Sequence, residues 1–241
     1  MKTAANNSTV LYFTITVLLM PLLLLQAIWV RLRTIKLPEA QGQRSGVCGQ
    51  GEPLTLLVLG DSAAAGVGTN LQEDALAGQL SALLAIKNQT HWHLVAKTGL
   101  TSTDIVNELQ SLPAQKFDLV LVSVGVNDVS HFTHQAQWLN NIHTIVELLK
   151  TKFGAEKVLL SSVPPMHLFT AIAQPLRWWL GLRAKKLNAL MTIAVANIDK
   201  CSILTVDLPF RPEYLAKDGV HPSKLAYKVW AEQAAAKFDS V

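Results

Sequence analysis

The chain is poor in charge and nearly free of cysteine. Only 16% of its 241 residues are charged while 50% are hydrophobic, a balance that excludes both a disordered chain and a coiled coil. Cys48 and Cys201 are its two cysteines, and without paired spacing they make neither a disulfide scaffold nor a metal knot. They read as plain thiols, with a single bridge open to them in an oxidising compartment. Also missing are internal repeats, a Gly-Lys-Ser/Thr phosphate loop and the G-x-G-x-x-G dinucleotide turn. The Gly-containing run GDSAAAGVGTN at 60–70 is therefore a poor nucleotide cradle. A basic body is absent as well. Of the 21 Lys+Arg and 17 Asp+Glu, the first fifty residues take five and one, so the remainder balances at 16 of each sign. Nucleic-acid binding needs positive charge gathered on the folded body, and no nucleic-acid partner is expected.

What the chain does have is one long apolar run. No charged residue occurs from Thr3 to Val30, and Thr9–Val30 is almost wholly apolar. As helix it would reach about 33 Å, enough to cross a hydrocarbon core of roughly 30 Å. A cleaved signal peptide would have a shorter apolar stretch and end at a small-residue site, whereas this run passes straight into Trp29, Arg31 and Arg33. Residues 9–30 therefore read as one N-terminal transmembrane helix after a flank at 1–8, with an uncleaved signal-like segment as the other reading. Arg31, Arg33 and Lys36 outnumber Lys2 and the amino terminus, which by the positive-inside tendency keeps the body cytoplasmic. A signal-anchored body would face the periplasm or the exterior instead, and both sides stay open. Residues 31–51, including PEAQGQRSGVCGQG at 38–51, read as a linker.

Residues 52–241 alternate short β-rich runs with longer helical patterns, the pattern of a parallel sheet covered on both faces. Strands are expected at Leu54–Leu59, His91–Ala96, Phe117–Val124, Lys157–Val163 and Ser202–Val206. Between them lie helical stripes, such as Leu76, Leu80, Leu83 and Leu84, or Trp138, Ile142, Ile145 and Leu149. A last helix is expected to start with Pro222 in its first turn. The fold class is α/β: a three-layer α/β/α, doubly wound, five-stranded parallel sheet of flavodoxin-like kind.

In such sheets ligands bind beyond the carboxyl ends of the strands, so chemistry should sit just after a strand. Gly60-Asp61-Ser62, Thr98-Gly99, Gly125-Val126-Asn127-Asp128 and Val163-Pro164-Pro165 all do. Ser62 precedes a helix, where backbone N–H groups favour developing negative charge. A serine needs a positioned base. Among seven histidines, His221 has a carboxylate three residues before it, Asp218, and a proline beside it. Asp218 would hold the imidazole tautomer, as the third member of a Ser-His-Asp set does. Asn127 offers a side-chain NH2 and Gly99 a backbone N–H. With the Ser62 N–H they would make three oxyanion donors, worth about 3–4 kcal/mol each. Taken singly each block is an ordinary turn or cap; four in order at strand ends carry the reading.

The chain resembles the SGNH (GDSL) hydrolases, a family of serine esterases and lipases. The resemblance lies in LVLGDSAAAG at 57–66, KTGLTSTD at 97–104, VSVGVNDV at 122–129 and DGVHPS at 218–223. It implies Ser62 as nucleophile, Asp218 and His221 as its triad partners, and Ser62, Gly99 and Asn127 as the oxyanion hole. It implies no metal and no organic cofactor, with Asp61 and Asp128 supporting the loops. The absence of G-x-S-x-G sets the chain apart from the α/β-hydrolase elbow. The pairs His91/His93 and His131/His134 lack a third ligand and point to no metal. His131 and Phe132 are expected near the site mouth. Pro164–Trp179 (PPMHLFTAIAQPLRWW) follows a strand end; its apolar side chains suit an apolar acyl group, or else pack against the sheet or meet the bilayer near the anchor. The expected substrate is a small or lipid-like acyl ester or thioester. A glycan O-acyl esterase or acyltransferase using the same residues is the alternative.

Overall fold

A computed structural model of the chain describes residues 2–209 and 211–240, with side chains from residue 16 onward. Side chains of the expected span before residue 16 lie outside the described residues. The strands are β1 (Ser45–Cys48), β2 (Glu52–Gly60), β3 (Asn88–Ala96), β4 (Leu119–Ser123), β5 (Lys157–Ser161) and β6 (Cys201–Leu204). The helices are α1 (Lys2–Arg33), α2 (Leu76–Leu84), α3 (Ser102–Ser111), α4 (Val126–Ser130), α5 (Gln135–Thr151), α6 (Leu176–Val195) and α7 (Lys224–Ser240).

The sheet runs β1-β3-β2-β4-β5-β6. Its five strands from β2 to β6 are parallel and carry the expected flavodoxin-like order, while β1 pairs antiparallel with β3. The period of two along β2 explains the three layers. Leu56 and Val58 face one core with Leu76, Leu80 and Tyr227, from α2 and α7. Leu57 and Leu59 face the other, with Ile105, Trp138 and Leu187, from α3, α5 and α6. Both faces of the central strands are buried, so they read as unbroken apolar runs.

Three details differ from the sequence expectation. First, the sheet has a sixth strand inside the stretch read as linker. Four residues with alternate half-buried side chains are too short to show a period, and only the free edge of β3 gives them a partner. Second, α6 begins at Leu176, inside the stretch read as loop, directly after Pro175. Third, α7 begins at Lys224, not Pro222. Pro222 forms an antiparallel bridge with Leu215, and Ser223 caps the helix by accepting the Ala226 N–H at 3.4 Å. The two thiols lie on β1 and β6, opposite edges of the sheet, and both are free.

Helix α1 is apolar over Thr16–Arg33, long enough to cross a membrane by length and composition. One face meets the body: Leu23 is buried, and Thr16 Oγ1 accepts the Trp179 Nε1–H at 3.1 Å. Gln26 donates to Gln174 O at 2.7 Å and accepts the Leu176 N–H at 3.0 Å. The opposite face leaves Leu18, Leu22, Leu25, Trp29 and Leu32 exposed, at helical spacing.

Gly66 is required by its neighbours. Its φ is +82°, and an added Cβ would lie 2.6 Å from the Ala75 Cβ and 2.7 Å from the Ala40 Cβ. Gly66→Ala is expected to destabilise the fold by roughly 1–3 kcal/mol; a urea titration in which the variant keeps the parent midpoint would contradict this packing.

Candidate active site

The loops after β3, β2 and β4 stand side by side because those strands are neighbours in the sheet. They carry Gly99, Ser62 and Asn127. Backbone bonds register them: Lys97 N–H donates to Gly60 O at 3.2 Å and Asp61 N–H to Ser123 O at 3.0 Å. The Asn127 side chain donates one amide hydrogen to Leu100 O at 2.9 Å, and its amide group carries a second. No described hydrogen bond uses the Ser62 or Gly99 N–H.

His221 comes from the far end of the sheet. β6 is the edge strand, and the chain after it returns across the strand ends before α7. Asp218 organises the turn: its Oδ1 accepts the Val220 and His221 N–H groups, each at 3.0 Å. Its Oδ2 lies 2.5 Å from His221 Nδ1, and His221 Nε2 lies 2.8 Å from Ser62 Oγ. An ionised carboxylate can only accept, so Nδ1 carries the proton and the Nε2 lone pair faces the serine hydroxyl. Burial works to raise the Asp218 pKa. The His221 hydrogen bond, the Val220 N–H and the imidazole charge outweigh it and hold the carboxyl below its ordinary value.

Asp61 and Asp128 hold loops, as expected. Asp128 is buried and accepts the Ser102 N–H at 2.9 Å and the Ser102 hydroxyl at 2.6 Å. Asp61, beside Ser62 in the chain, is buried and accepts the Ala63 N–H at 3.1 Å. Burial pushes its pKa up from 3.8 to about 7; the Asp128 charge adds to the rise, and the Ala63 N–H and His221 oppose it.

A cavity of about 750 Å³ opens beside Ser62 and His221. Its walls are mainly apolar and include Val163, Leu168, Phe169, Trp178 and Leu208. The segment Pro164–Trp179 thus borders the site, but not all of it faces the cavity. Trp179 turns away, against the Phe132 ring at 5.4 Å and the Arg183 guanidinium at 5.3 Å. Neither His131 nor Phe132 is among the cavity walls, because Phe132 packs on Trp179 and His131 ends α4. His93 packs edge-on against Phe117, and His134 caps α5 by accepting the Ala136 N–H. Among the described residues no group of three or more His, Cys, Asp or Glu is placed to hold a metal ion. Walls from Thr205–Pro209 and from Tyr214 and Leu215 were not foreseen; they carry no motif and reach the site only through the return of the chain.

Residues 58–229 match the family model described as GDSL-like Lipase/Acylhydrolase. The chain belongs to this family. Its fold is shared by a lipase/acylhydrolase from Enterococcus faecalis (18% identity, 78% of this chain and 96% of that one, TM-score 0.59). TesA is similar (23% identity, 77% and 98% covered, TM-score 0.62). So is Axe2, an acetylxylan esterase from Geobacillus stearothermophilus (17% identity, 79% and 95% covered, TM-score 0.54). At these identities the likeness is one of fold. Among curated proteins none matches the chain by sequence.

The raised Asp61 pKa gives a pH signature. The folded carboxyl holds its proton above the unfolded value, so folding takes up a proton between about pH 4 and 7 and stability falls as pH rises through that window. Asp61→Asn lacks the titration and keeps an acceptor for Ala63. Its stability relative to the parent is expected to rise from pH 4 to pH 7 and then level off. Parallel urea curves at pH 4.5 and 7.5 with equal differences would refute the assignment.

Proposed function

We propose that this GDSL-family protein is a serine ester hydrolase in which Ser62, His221 and Asp218 form the catalytic triad. The hydrogen-bonded chain Asp218–His221–Ser62 carries the reading, because it puts an imidazole lone pair on the serine proton. Ser62 Oγ attacks an ester carbonyl while His221 Nε2 takes its proton. The oxyanion is met by the N–H groups of Ser62 and Gly99 and the Asn127 side chain. The tetrahedral adduct collapses, His221 protonates the leaving alcohol, and an acyl-Ser62 ester remains. Water, deprotonated by His221, then releases the acid and restores the serine. Asp218 orients the ring throughout and stabilises its imidazolium form.

The apolar cavity beside Ser62 favours an apolar acyl group over a sugar ester. That supports lipid-like or other acyl esters or thioesters as substrates, ahead of glycan O-acyl transfer. Helix α1 is the membrane anchor in this reading: its exposed leucine-rich face is matched to a bilayer, and Arg31 and Arg33 mark its aqueous end. Anchor and cavity meet the same segment, 168–179. Gln174, Leu176 and Trp179 contact or bond α1 or its neighbours, while Leu168, Phe169 and Trp178 line the cavity.

A fluorophosphonate probe is expected to label the chain at Ser62, with labelling and p-nitrophenyl ester hydrolysis lost in Ser62→Ala. Asp218→Asn is expected to lower kcat about a thousandfold or more, by presenting the wrong tautomer. Activity in the alanine variant would remove the nucleophile. Hydrolysis that peaks at acetate and vanishes with longer chains, or acyl transfer to a sugar outpacing hydrolysis, would turn the substrate reading toward the glycan alternative. The full chain is expected to float with phosphatidylcholine–phosphatidylglycerol liposomes and resist carbonate extraction; a soluble full chain would end the anchor reading.

A further inference from the structure

The stretch between α1 and β1 contributes to the site although it precedes the family match at 58–229. Glu39 Oε1 accepts the Thr98 N–H at 2.6 Å, and its Oε2 accepts Arg44 Nη2 at 2.6 Å. Arg44 Nη1 donates in turn to Ala96 O at 2.5 Å. This carboxylate–guanidinium pair therefore brackets Ala96–Thr98, where β3 passes into the loop after it. The residue after it is Gly99.

The next residues attach to the loop that carries Ser62. Ala40 N–H donates to Ala65 O at 3.3 Å, Gln41 N–H to Asn70 O at 2.8 Å, and Gln72 N–H to Gln41 O at 2.8 Å. The Gln72 side chain ties the same two segments by donating to Ala40 O at 3.1 Å and Ala65 O at 3.0 Å. One strap thus holds the loop that carries Ser62 and the turn that carries Gly99. Gly99 itself is exposed. Its φ is +91°, and a Cβ built there would meet nothing within 4 Å. The turn Lys97–Leu100 that contains it is closed by a long Leu100 N–H bond to Lys97 O at 3.4 Å, and Leu100 O accepts from the Asn127 side chain at 2.9 Å.

We propose that Glu39 is a positioning residue for acyl transfer: by accepting the Thr98 N–H it sets the direction of the adjacent Gly99 N–H relative to that of Ser62. The inference rests on the oxyanion role given to Gly99 above. A charged acceptor binds an amide more firmly than a neutral one, and the exposed tip Lys97–Gly99 is aimed by such a bond. Oxyanion stabilisation depends on donors fixed in advance, so a small loosening lowers the rate of the chemical step more than substrate binding. Burial opposes the Glu39 charge. The Thr98 amide and hydroxyl and Arg44 outweigh it and hold the carboxyl below its ordinary value, so it stays ionised at neutral pH.

The test uses the full chain in detergent micelles, with Glu39→Ala, Glu39→Gln and Ser62→Ala. Rates on p-nitrophenyl acetate are counted per fluorophosphonate-labelled site, and Thr98 amide exchange is followed by hydrogen–deuterium mass spectrometry. Glu39→Ala is expected to lose about tenfold in kcat with KM within twofold, and to speed exchange at Thr98. Glu39→Gln keeps an acceptor oxygen and is expected to recover part of the loss, to within about threefold of the parent. A kcat per labelled site within twofold of the parent in Glu39→Ala would overturn the proposal, even if its thermal midpoint drops. So would a fall in kcat with Thr98 exchange unchanged, or a Glu39→Gln variant as slow as Glu39→Ala. Failure of the hydrolase reading looks different: the parent is then unlabelled, or Ser62→Ala remains active, while Thr98 exchange still reports on Glu39.

Discussion

A carboxylate with 1% of its side chain exposed stays ionised only where donors surround it, and Asp218 has three: two backbone N–H groups and the imidazole. Its two oxygens divide the work. One closes the turn Asp218–His221; the other fixes the ring that the turn presents. With the ring fixed, its second nitrogen meets a serine 159 residues earlier in the chain. Everything that brings the end of the chain back over the sheet serves this contact. The Leu215–Pro222 bridge, the Tyr227 hydroxyl on Val67 O and the close approach of Gly68 to Pro222 all lie within this return. Gly68 shows the tolerance involved, since a Cβ there would come within 2.2 Å of Pro222 O.

The cleft is built by loops, yet none of them is held by its own residues alone. Asp128 reaches from the β4 loop to Ser102, Asn127 to Leu100, and Asn141 on α5 to Ser102 and Thr103. These bonds join the third motif block to the second. The strap at 39–41 joins the second to the first. Loops so cross-linked lose little freedom when a substrate binds, which is the condition for fixed dipoles to stabilise a transition state. Asp61 adds a different element, a buried carboxyl next to Ser62 in the chain whose pKa burial raises to about 7.

Much of this was legible from residue types and spacing. The apolar runs at 54–59 and 117–124 mark strands buried on both faces, and the blocks after strands mark where a parallel sheet binds ligands. That ground points to Ser62, Gly99, Asn127, Asp218 and His221, and of these Ser62, His221 and Asp218 stand in hydrogen-bonding contact. Other features left no trace. Ser45–Cys48 is too short to show a period, and a Gly- and Gln-rich stretch looks the same whether it is loose or stitched to a loop. Pro222 looked like a helix start because its ring suits a first turn, but its bridge to Leu215 moved the cap to Ser223. Phe132 follows the third motif block closely, but its ring packs at a tilt against Trp179 and under the Arg183 cation, and it is not a cavity wall.

Local chemistry thus suffices for the layer architecture, the order of the motif blocks and the identity of the polar groups, because periodicity and turn residues act over a few neighbours. Pairings such as Glu39 with Thr98, Gln26 with Leu176 and Trp230 with Ser161 join residues 59 to 150 positions apart. No spacing rule spans such gaps. They exist because the folded sheet brings their elements within hydrogen-bonding distance, and that proximity appears only once the whole chain has packed.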